Sequence, residues 1–173
     1  MKKINFKRGI THKTATLMTA LTIIVAGISY TTLSGNNPVN NAKIASLMNN
    51  KDSITQSVQA YVYKVNAKSV KYYSQEEIIK GVSDENIVID GIVDDSATLE
   101  VEGKKVYKLD DNKCRENLDL ELSKINVSGA DWYIDSDATP YLVFKDYDSI
   151  SSYIKKDLDD NVNLSNLVIY DKE

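Results

Sequence analysis

The amino-acid sequence predicts an α+β domain, in which one long N-terminal helix packs on a small antiparallel sheet accompanied by short extra helices. Two patterns lead to this prediction. Apolar residues recur at alternating spacings of three and four between Ile44 and Val65, as on a helix with one buried face. Later in the chain, short alternating segments flank turn-forming residues, which indicates antiparallel hairpins.

The first half of the long helix is predicted to span a membrane. No charged side chain occurs between Lys13 and Lys43, and a spanning helix needs about 20 mostly apolar residues. Threonines in this stretch do not oppose the prediction, because a helical threonine can donate its hydroxyl to a carbonyl one turn back. We therefore expect a transmembrane helix over residues 14–35. Its apolar side chains include Leu17, Leu21, Ile23, Ile24, Val25 and Ile28.

The charge pattern predicts how the chain is oriented. Residues 1–13 contain five basic residues and no acidic one, and because the whole chain carries −4, residues 14–173 carry −9. Basic residues beside a first hydrophobic segment hold that end in the cytoplasm. The sequence thus predicts a basic cytoplasmic tail and one acidic extracellular domain over residues 36–173. No nucleic acid is expected as a direct partner of such an acidic domain.

A cleaved signal peptide is the alternative interpretation of the hydrophobic stretch. The basic start fits it, and residues 27–29 place small side chains at a plausible cleavage distance, but no A-x-A motif occurs. The membrane anchor is therefore favoured, with a secreted protein as the alternative.

The composition contains little that supports enzyme chemistry. The single histidine, His12, lies in the basic tail, so no histidine-based triad and no histidine-ligated zinc site can form in the outer domain. The single cysteine, Cys114, has no internal disulfide partner and is expected to be inert and partly buried. We predict no catalytic residue, no cofactor and no metal site.

Aspartates cluster at the predicted turns. Asp131, Asp135 and Asp137 include an Asp-x-Asp pattern like the start of an EF-hand, but the glycine and glutamate that a calcium loop needs are absent. A turn with exposed aspartates is therefore the preferred interpretation. The pairs Asp94–Asp95 and Asp110–Asp111 are likewise expected to be solvated turn residues.

Beyond the membrane stretch, the helix is predicted to run from Pro38 to near Lys68, since proline is favoured at the first helical position. Lys51 fills the one position that the apolar stripe skips. A coiled coil would show the same pattern. Packing on the domain's own sheet is preferred, because the apolar face of that sheet must be buried by another element. The stripe consists of Ile44, Leu47, Ile54, Val58, Tyr61 and Val65.

Shorter elements follow the long helix. Ser74 and Glu77 have the spacing of a capping box, which opens a short helix that Gly81 can end. The later predicted elements are a strand over 86–89, a hairpin of strands 98–101 and 105–109, helical turns within 110–122, a hairpin of strands 132–134 and 141–144, a helix over 149–158 and a strand over 166–170.

The aromatic residues are biased towards tyrosine, with eleven tyrosines against two phenylalanines and one tryptophan. Tyrosine suits both contact surfaces and the edges of a small core, because one end of its side chain is apolar and the other is polar. Edge positions would account for most of them. The candidates for a binding surface are Tyr61, Tyr63, Tyr72, Tyr73, Tyr147 and Tyr153.

The order of these features resembles the type IV pilin-like proteins of Gram-positive bacteria. A basic tail with KRGI at residues 7–10 precedes the hydrophobic helix, and SGNNPVNNA at residues 34–42 closes it. DWYID at residues 131–135, its polar turn and the YLV strand at residues 141–143 are also similar to that group. The resemblance spans most of the chain.

The resemblance implies a long helix whose outer half packs on a sheet and whose hydrophobic half assembles with other pilin-like subunits, including copies of itself. It also implies cleavage after Gly9, which would leave Ile10 as the first residue. The sequence departs from the family where Lys13 interrupts the apolar run and Thr14 replaces a glutamate. An uncleaved pilin-like anchored protein or minor pseudopilin is therefore favoured over a major pilus subunit. The runner-up is an anchored extracellular binding module that does not polymerise.

Overall fold

A computed structural model describes residues 38–85, 87–101, 103–146, 148–149 and 167–169. These residues belong to one compact unit, residues 34–173, and they form the predicted mixture of a long helix, short helices and small sheets. Among them, no helix has both the length and the apolar character needed to cross a membrane. The basic tail and the predicted transmembrane helix lie outside the described residues.

The long helix, α1, begins at Pro38 and ends at Lys68, as predicted. Its 31 residues correspond to a length of about 46 Å. Directly after the helix, the backbone N–H and hydroxyl of Ser69 both donate to the carbonyl of Val65, at 3.0 and 2.8 Å. These bonds satisfy a carbonyl that would otherwise lack a partner at the helix terminus.

The second helix, α2 (Gln75–Lys80), is opened by the predicted capping box. The N–H of Glu77 donates to Ser74 Oγ at 3.2 Å, and the N–H of Ser74 donates to Glu77 Oε2 at 2.7 Å. Gly81 ends the helix with a φ of 96°, which a residue with a side chain rarely adopts. A Cβ at Gly81 would also lie only 2.8 Å from the backbone nitrogen of Gly91.

Seven strands and two further helices complete the described part of the chain. The helices are α3 (Asp111–Leu118) and α4 (Leu122–Ile125). The strands are β1 (Gly81–Ser83), β2 (Val88–Asp90), β3 (Val93–Val101), β4 (Lys104–Leu109), β5 (Ala130–Asp135), β6 (Pro140–Phe144) and β7 (Leu167–Ile169).

The strands form two sheets. Strands β1 and β2 pair antiparallel, and the other five follow the order β3-β4-β5-β6-β7. Neighbours in the larger sheet are antiparallel except β6 and β7, which are parallel. The predicted small antiparallel sheet is thus confirmed except at this edge, where β7 pairs parallel to β6. Parallel neighbours need a long connection rather than a tight turn, and residues 145–166 separate these two strands.

The main hydrophobic core combines side chains of α1 with side chains of the short helices and the larger sheet. Alternation along β5 shows why one sheet face belongs to this core: Trp132 and Ile134 are part of it, whereas Tyr133 between them packs against a second cluster. The second cluster lies on the opposite sheet face and contains Val101, Val106, Tyr141 and Val143. The larger sheet is thus apolar on both faces.

Strand β3 contains an irregularity between Asp94 and Thr98, where its register against β4 shifts. Asp94 Oδ1 accepts hydrogen bonds from the N–H of Ser96 at 3.0 Å and from its hydroxyl at 2.6 Å. These bonds lower the pKa of Asp94. Asp94 and Asp95 therefore lie within a bulged strand and not in the predicted turn, because β3 is longer than its sequence pattern indicates, while Asp95 is exposed as predicted.

Candidate functional site: the surface of helix α1

The buried face of α1 is the predicted apolar stripe. Val65, at its end, is partly buried against the main core. Lys51 sits within the stripe and is half-buried, and burial lowers its pKa, with the charges of Asp52 and Asp135 opposing the shift. The fully buried members of the stripe are Ile44, Leu47, Ile54, Val58 and Tyr61.

The exposed face of α1 is uncharged over most of its length. Its exposed residues from Ala42 to Tyr63 repeat at alternating spacings of four and three, on the side of the helix opposite the stripe. They are Ala42, Ser46, Asn49, Ser53, Gln56, Ala60 and Tyr63. Because 27% of the chain is charged, an exposed helix face without charge is unusual.

The carboxyl end of α1 and the loop after it have a different character. Three side chains here are strongly exposed although they are apolar or aromatic: Tyr63 at 58%, Val70 at 109% and Tyr72 at 69%. Three exposed lysines accompany them. We call this surface the lysine patch; it comprises Tyr63, Lys64, Lys68, Val70, Lys71 and Tyr72.

The lysine patch is held in place by polar contacts behind it. Asn66 Oδ1 accepts from the N–H of Tyr73 at 2.8 Å, and Asn66 Nδ2 donates to the carbonyl of Tyr73 at 3.0 Å. The Tyr73 hydroxyl donates to Asp84 Oδ2 at 2.7 Å, which raises the pKa of Tyr73. The loop carrying Val70 and Tyr72 is thus tied to α1 on one side and to the β1–β2 connection on the other.

The lysines of the patch form no ion pair within the described part of the chain, although Lys71 lies close enough to Glu77 to help lower the pKa of that carboxyl group. The ion pairs found there use other lysines, namely Lys80, Lys104, Lys108 and Lys124. Lys71 instead lies over the ring of Tyr73, 5.1 Å from its centroid. The patch therefore presents positive charge and apolar surface together.

A cleft of about 320 Å³ opens on the surface beside α3 and α4. Carboxylates line its rim, and the apolar side chains of Leu109, Leu122 and Trp132 contribute to its walls. Lys108 Nζ lies 2.9 Å from Asp131 Oδ2, a hydrogen bond that raises the pKa of Lys108. We call this feature the aspartate cleft, after Asp94, Asp110, Asp111 and Asp131.

The carboxylates of the aspartate cleft are engaged in local structure. Asp110 caps α3 by accepting from the N–H of Lys113 at 2.9 Å, and Asp111 accepts from the N–H of Leu122 at 2.9 Å. Within the described residues, no group of three or more histidine, cysteine or acidic side chains could hold a metal ion. The cleft is thus an acidic surface with apolar walls.

Asp135 is buried, with an exposure of 1%, so its prediction as an exposed turn aspartate is wrong. Its carboxylate accepts from the N–H groups of Asp137 and Thr139, at 2.9 and 2.8 Å, and from the Tyr141 hydroxyl at 3.1 Å. Lys104 Nζ lies 3.4 Å away. The turn folds around this carboxylate, and its neighbours in space supply the hydrogen bonds that burial requires. Asp137, by contrast, is exposed.

Cys114 is fully buried in the main core. Burial, reinforced by the negative charges of Asp110 and Asp111, raises the pKa of its thiol to about 12. The thiolate that nucleophilic chemistry needs is therefore scarce near neutral pH.

The tyrosine candidates divide between core and surface. Tyr61 and Tyr73 are buried, whereas Tyr63 and Tyr72 are exposed and belong to the lysine patch. Tyr147 and Tyr153 fall outside the described side chains. Sequence reasoning overlooked the lysines of the patch, although one signal was available: no acidic residue occurs from 53 to 75.

The remaining predicted positions lie outside the described residues. These are Gly9 and Ile10, proposed for processing, and the apolar membrane-helix residues Leu17, Leu21, Ile23, Ile24, Val25 and Ile28. Comparison with known proteins finds no family model, no curated protein and no solved structure that matches this chain.

Proposed function

We propose that this chain is a pilin-like or pseudopilin-like surface protein with a structural, non-enzymatic role in assembly. In this proposal, residues 14–35 anchor the chain in the cell membrane, the basic tail stays in the cytoplasm and the α+β head lies outside. The N-terminal helix joins the chain to copies of itself or to other pilin-like subunits.

The uncharged exposed face of α1 is the observation that carries this proposal. A helix face that only meets water usually bears charged side chains. Here the exposed positions from Ala42 to Tyr63 bear alanine, serine, asparagine, glutamine and tyrosine. Small uncharged side chains allow another helix to approach closely. This face suits contact with a neighbouring subunit, while the opposite face of α1 is occupied by the head's own core.

N-terminal sequencing of the mature protein tests the anchor and its processing. An intact start at Met1 or Lys2 supports the uncleaved anchor, and a start at Ile10 supports pilin processing. A start near Tyr30 would overturn the proposal in favour of a secreted protein.

Assembly is tested by crosslinking through single cysteines placed at Leu21, Ile24 and Ile28 in the full chain in membranes. Disulfide-linked dimers support a contact between the N-terminal helices of neighbouring copies. Complete absence of crosslinks at all three positions would contradict assembly through the N-terminal helix.

The second candidate is a membrane-anchored binding module that does not polymerise. The exposed rings of Tyr63 and Tyr72 favour it, because tyrosine is enriched at protein contact surfaces. This candidate predicts an intact N-terminus together with monomeric chains in the crosslinking experiment.

A further inference from the structure

The charges of the outer domain are divided between its two parts. Residues 38–72, which include α1 and most of the loop after it, contain five lysines and one aspartate, a net charge of +4. Residues 73–149 contain nineteen acidic and eight basic residues, a net charge of −11. The positively charged part of one copy is thus complementary to the negatively charged part of a second copy.

We propose that the lysine patch of one copy docks on the aspartate cleft of a second copy. This inference rests on the proposed function, since it names a contact between heads in the assembly. The lysines lie beside the exposed side chains of Val70 and Tyr72, and the aspartates line a cleft whose apolar lining residues, Leu122 and Trp132, are largely buried. Opposite charges on two surfaces favour specific association.

The positions of the two surfaces fit a head-to-tail contact. Asn50 Nδ2 donates to the carbonyl of Ile125 at 3.4 Å, which places α4, at the border of the cleft, beside the middle of α1. The lysine patch begins at Tyr63, so the two surfaces are offset by about 20 Å along the helix axis. A contact between two different surfaces is heterologous, and repeated contacts of this kind extend into a filament rather than closing a dimer.

The patch also meets the structural conditions for docking. Asn66 and Asp84 hold its loop in a defined position through their bonds to Tyr73, so little ordering is needed on binding. Its lysines form no ion pair within the part of the chain that the structure describes. The charges of Lys64 and Lys68 are therefore available to a partner, whereas Lys71 also interacts with Glu77 and the Tyr73 ring.

Site-specific crosslinking between two versions of the full chain in detergent micelles tests the proposal. One version carries Val70→Cys and the other Ser123→Cys, which lies on the rim of the cleft; size tags distinguish them. We expect the mixed disulfide to form preferentially over the disulfide with a control version carrying Ser83→Cys. Cys114 stays reduced because it is buried.

Charge reversal then tests the role of the lysines. In the Val70→Cys chain, Lys64→Glu with Lys68→Glu should reduce the mixed disulfide about tenfold, since two opposite-charge contacts become repulsive. The matched control, Lys105→Glu with Lys145→Glu, changes the net charge equally at exposed lysines outside the patch and should have little effect. Higher salt should weaken crosslinking, because it screens exposed charges. Continued protection of Cys114 from alkylation shows that the variants are folded.

Three outcomes would overturn the proposal. The first is equal crosslinking of Val70→Cys to Ser83→Cys and Ser123→Cys. The second is unchanged crosslinking after the Lys64 and Lys68 reversal; if the same reversal abolishes binding to phosphatidylglycerol vesicles, the patch is assigned to an anionic membrane. The third is absence of head crosslinks while cysteines at Leu21, Ile24 and Ile28 still crosslink, which would remove only this contact. Loss of both would remove the proposed function as well.

Discussion

The carboxylate of Asp135 organises the turn between β5 and β6. It receives two backbone N–H groups, the hydroxyl of Tyr141 and the ammonium of Lys104. Burial of a carboxylate is unfavourable unless such partners replace the water it loses. The turn also contains Ala138 at a φ of 59°, a left-handed conformation that costs energy for a residue other than glycine. The bonds to Asp135 offset that cost.

Asp135→Asn should therefore destabilise the head by about 1–3 kcal/mol, because the new amide group places donors against donors in a buried site. Urea unfolding monitored by the fluorescence of Trp132, which lies on the same strand, measures the change. Asp137→Asn is the control: its side chain is 68% exposed, and little loss is expected. Equal losses for the two variants would contradict the central role of Asp135.

The thiol of Cys114 should be almost unreactive in the folded protein. Its pKa of about 12 leaves very little thiolate at pH 8, and the side chain is fully buried. We expect alkylation by iodoacetamide to be slow in native conditions and rapid in denaturant, as followed by mass spectrometry. Rapid alkylation of the native chain would contradict the described packing of α3 against the core.

Helix α1 combines a buried apolar face and an exposed uncharged face, and Lys51 is the exception within the buried face. A charged ammonium that is half-buried loses hydration, which is why burial lowers the pKa of Lys51. The aliphatic part of the side chain still covers apolar surface. The charge of Lys51, and not the size of its side chain, therefore destabilises the folded state.

Lys51→Met should stabilise the fold at neutral pH by up to about 1 kcal/mol, since it keeps the volume and removes the charge. A lysine whose pKa is lower in the folded state carries this cost below the folded pKa, and the cost disappears above its ordinary pKa of about 10.4. The gain should therefore shrink as the pH rises towards that value. Thermal unfolding at pH 7 and pH 10 measures it, and a destabilised variant at pH 7 would contradict the argument.

Because of the capping box of α2, the stability of the fold should depend on pH in the acidic range. The hydrogen bonds from Ser74 lower the pKa of Glu77. A carboxylate with a lowered folded pKa contributes stability above its ordinary pKa of about 4.3, and this contribution is lost as the pH falls through the folded value. Glu77→Gln should be less stable than the parent at pH 7, with the difference closing below about pH 4. Ser74→Ala should cost about 1 kcal/mol, and thermal unfolding across this pH range measures both.

At the scale of the molecule, α1 is part of the head rather than a separate stalk. Ile54 and Val58 are completely buried and belong to the same core as Trp132 and Phe144. A fragment of residues 34–173 should therefore fold without the first 33 residues, as expected for one compact unit. A fragment of residues 72–173 should remain unfolded, because its main core lacks the apolar side chains of α1. Dispersion of amide signals in NMR spectra distinguishes the outcomes, and a folded 72–173 fragment would contradict this role of α1.

Local sequence patterns determined α1 and α2 of this protein. The bounds of α1 and the capping box of α2 could be read from the chain, because helix periodicity and capping depend on residues three or four positions apart. The two hairpins were predicted for the same reason, since their strands flank short turns.

Only the tertiary structure decided the features that join distant segments. The parallel pairing of β7 with β6 and the burial of Asp135 depend on contacts across the fold. The environment of Asp135 shows the physical reason: a carboxylate in a polar turn is exposed by default, and here the distant Lys104 meets it in addition to Thr139 and Tyr141 of its own hairpin. Sequence neighbours supply periodicity and charge, whereas burial and pairing are set by residues that become neighbours only in space.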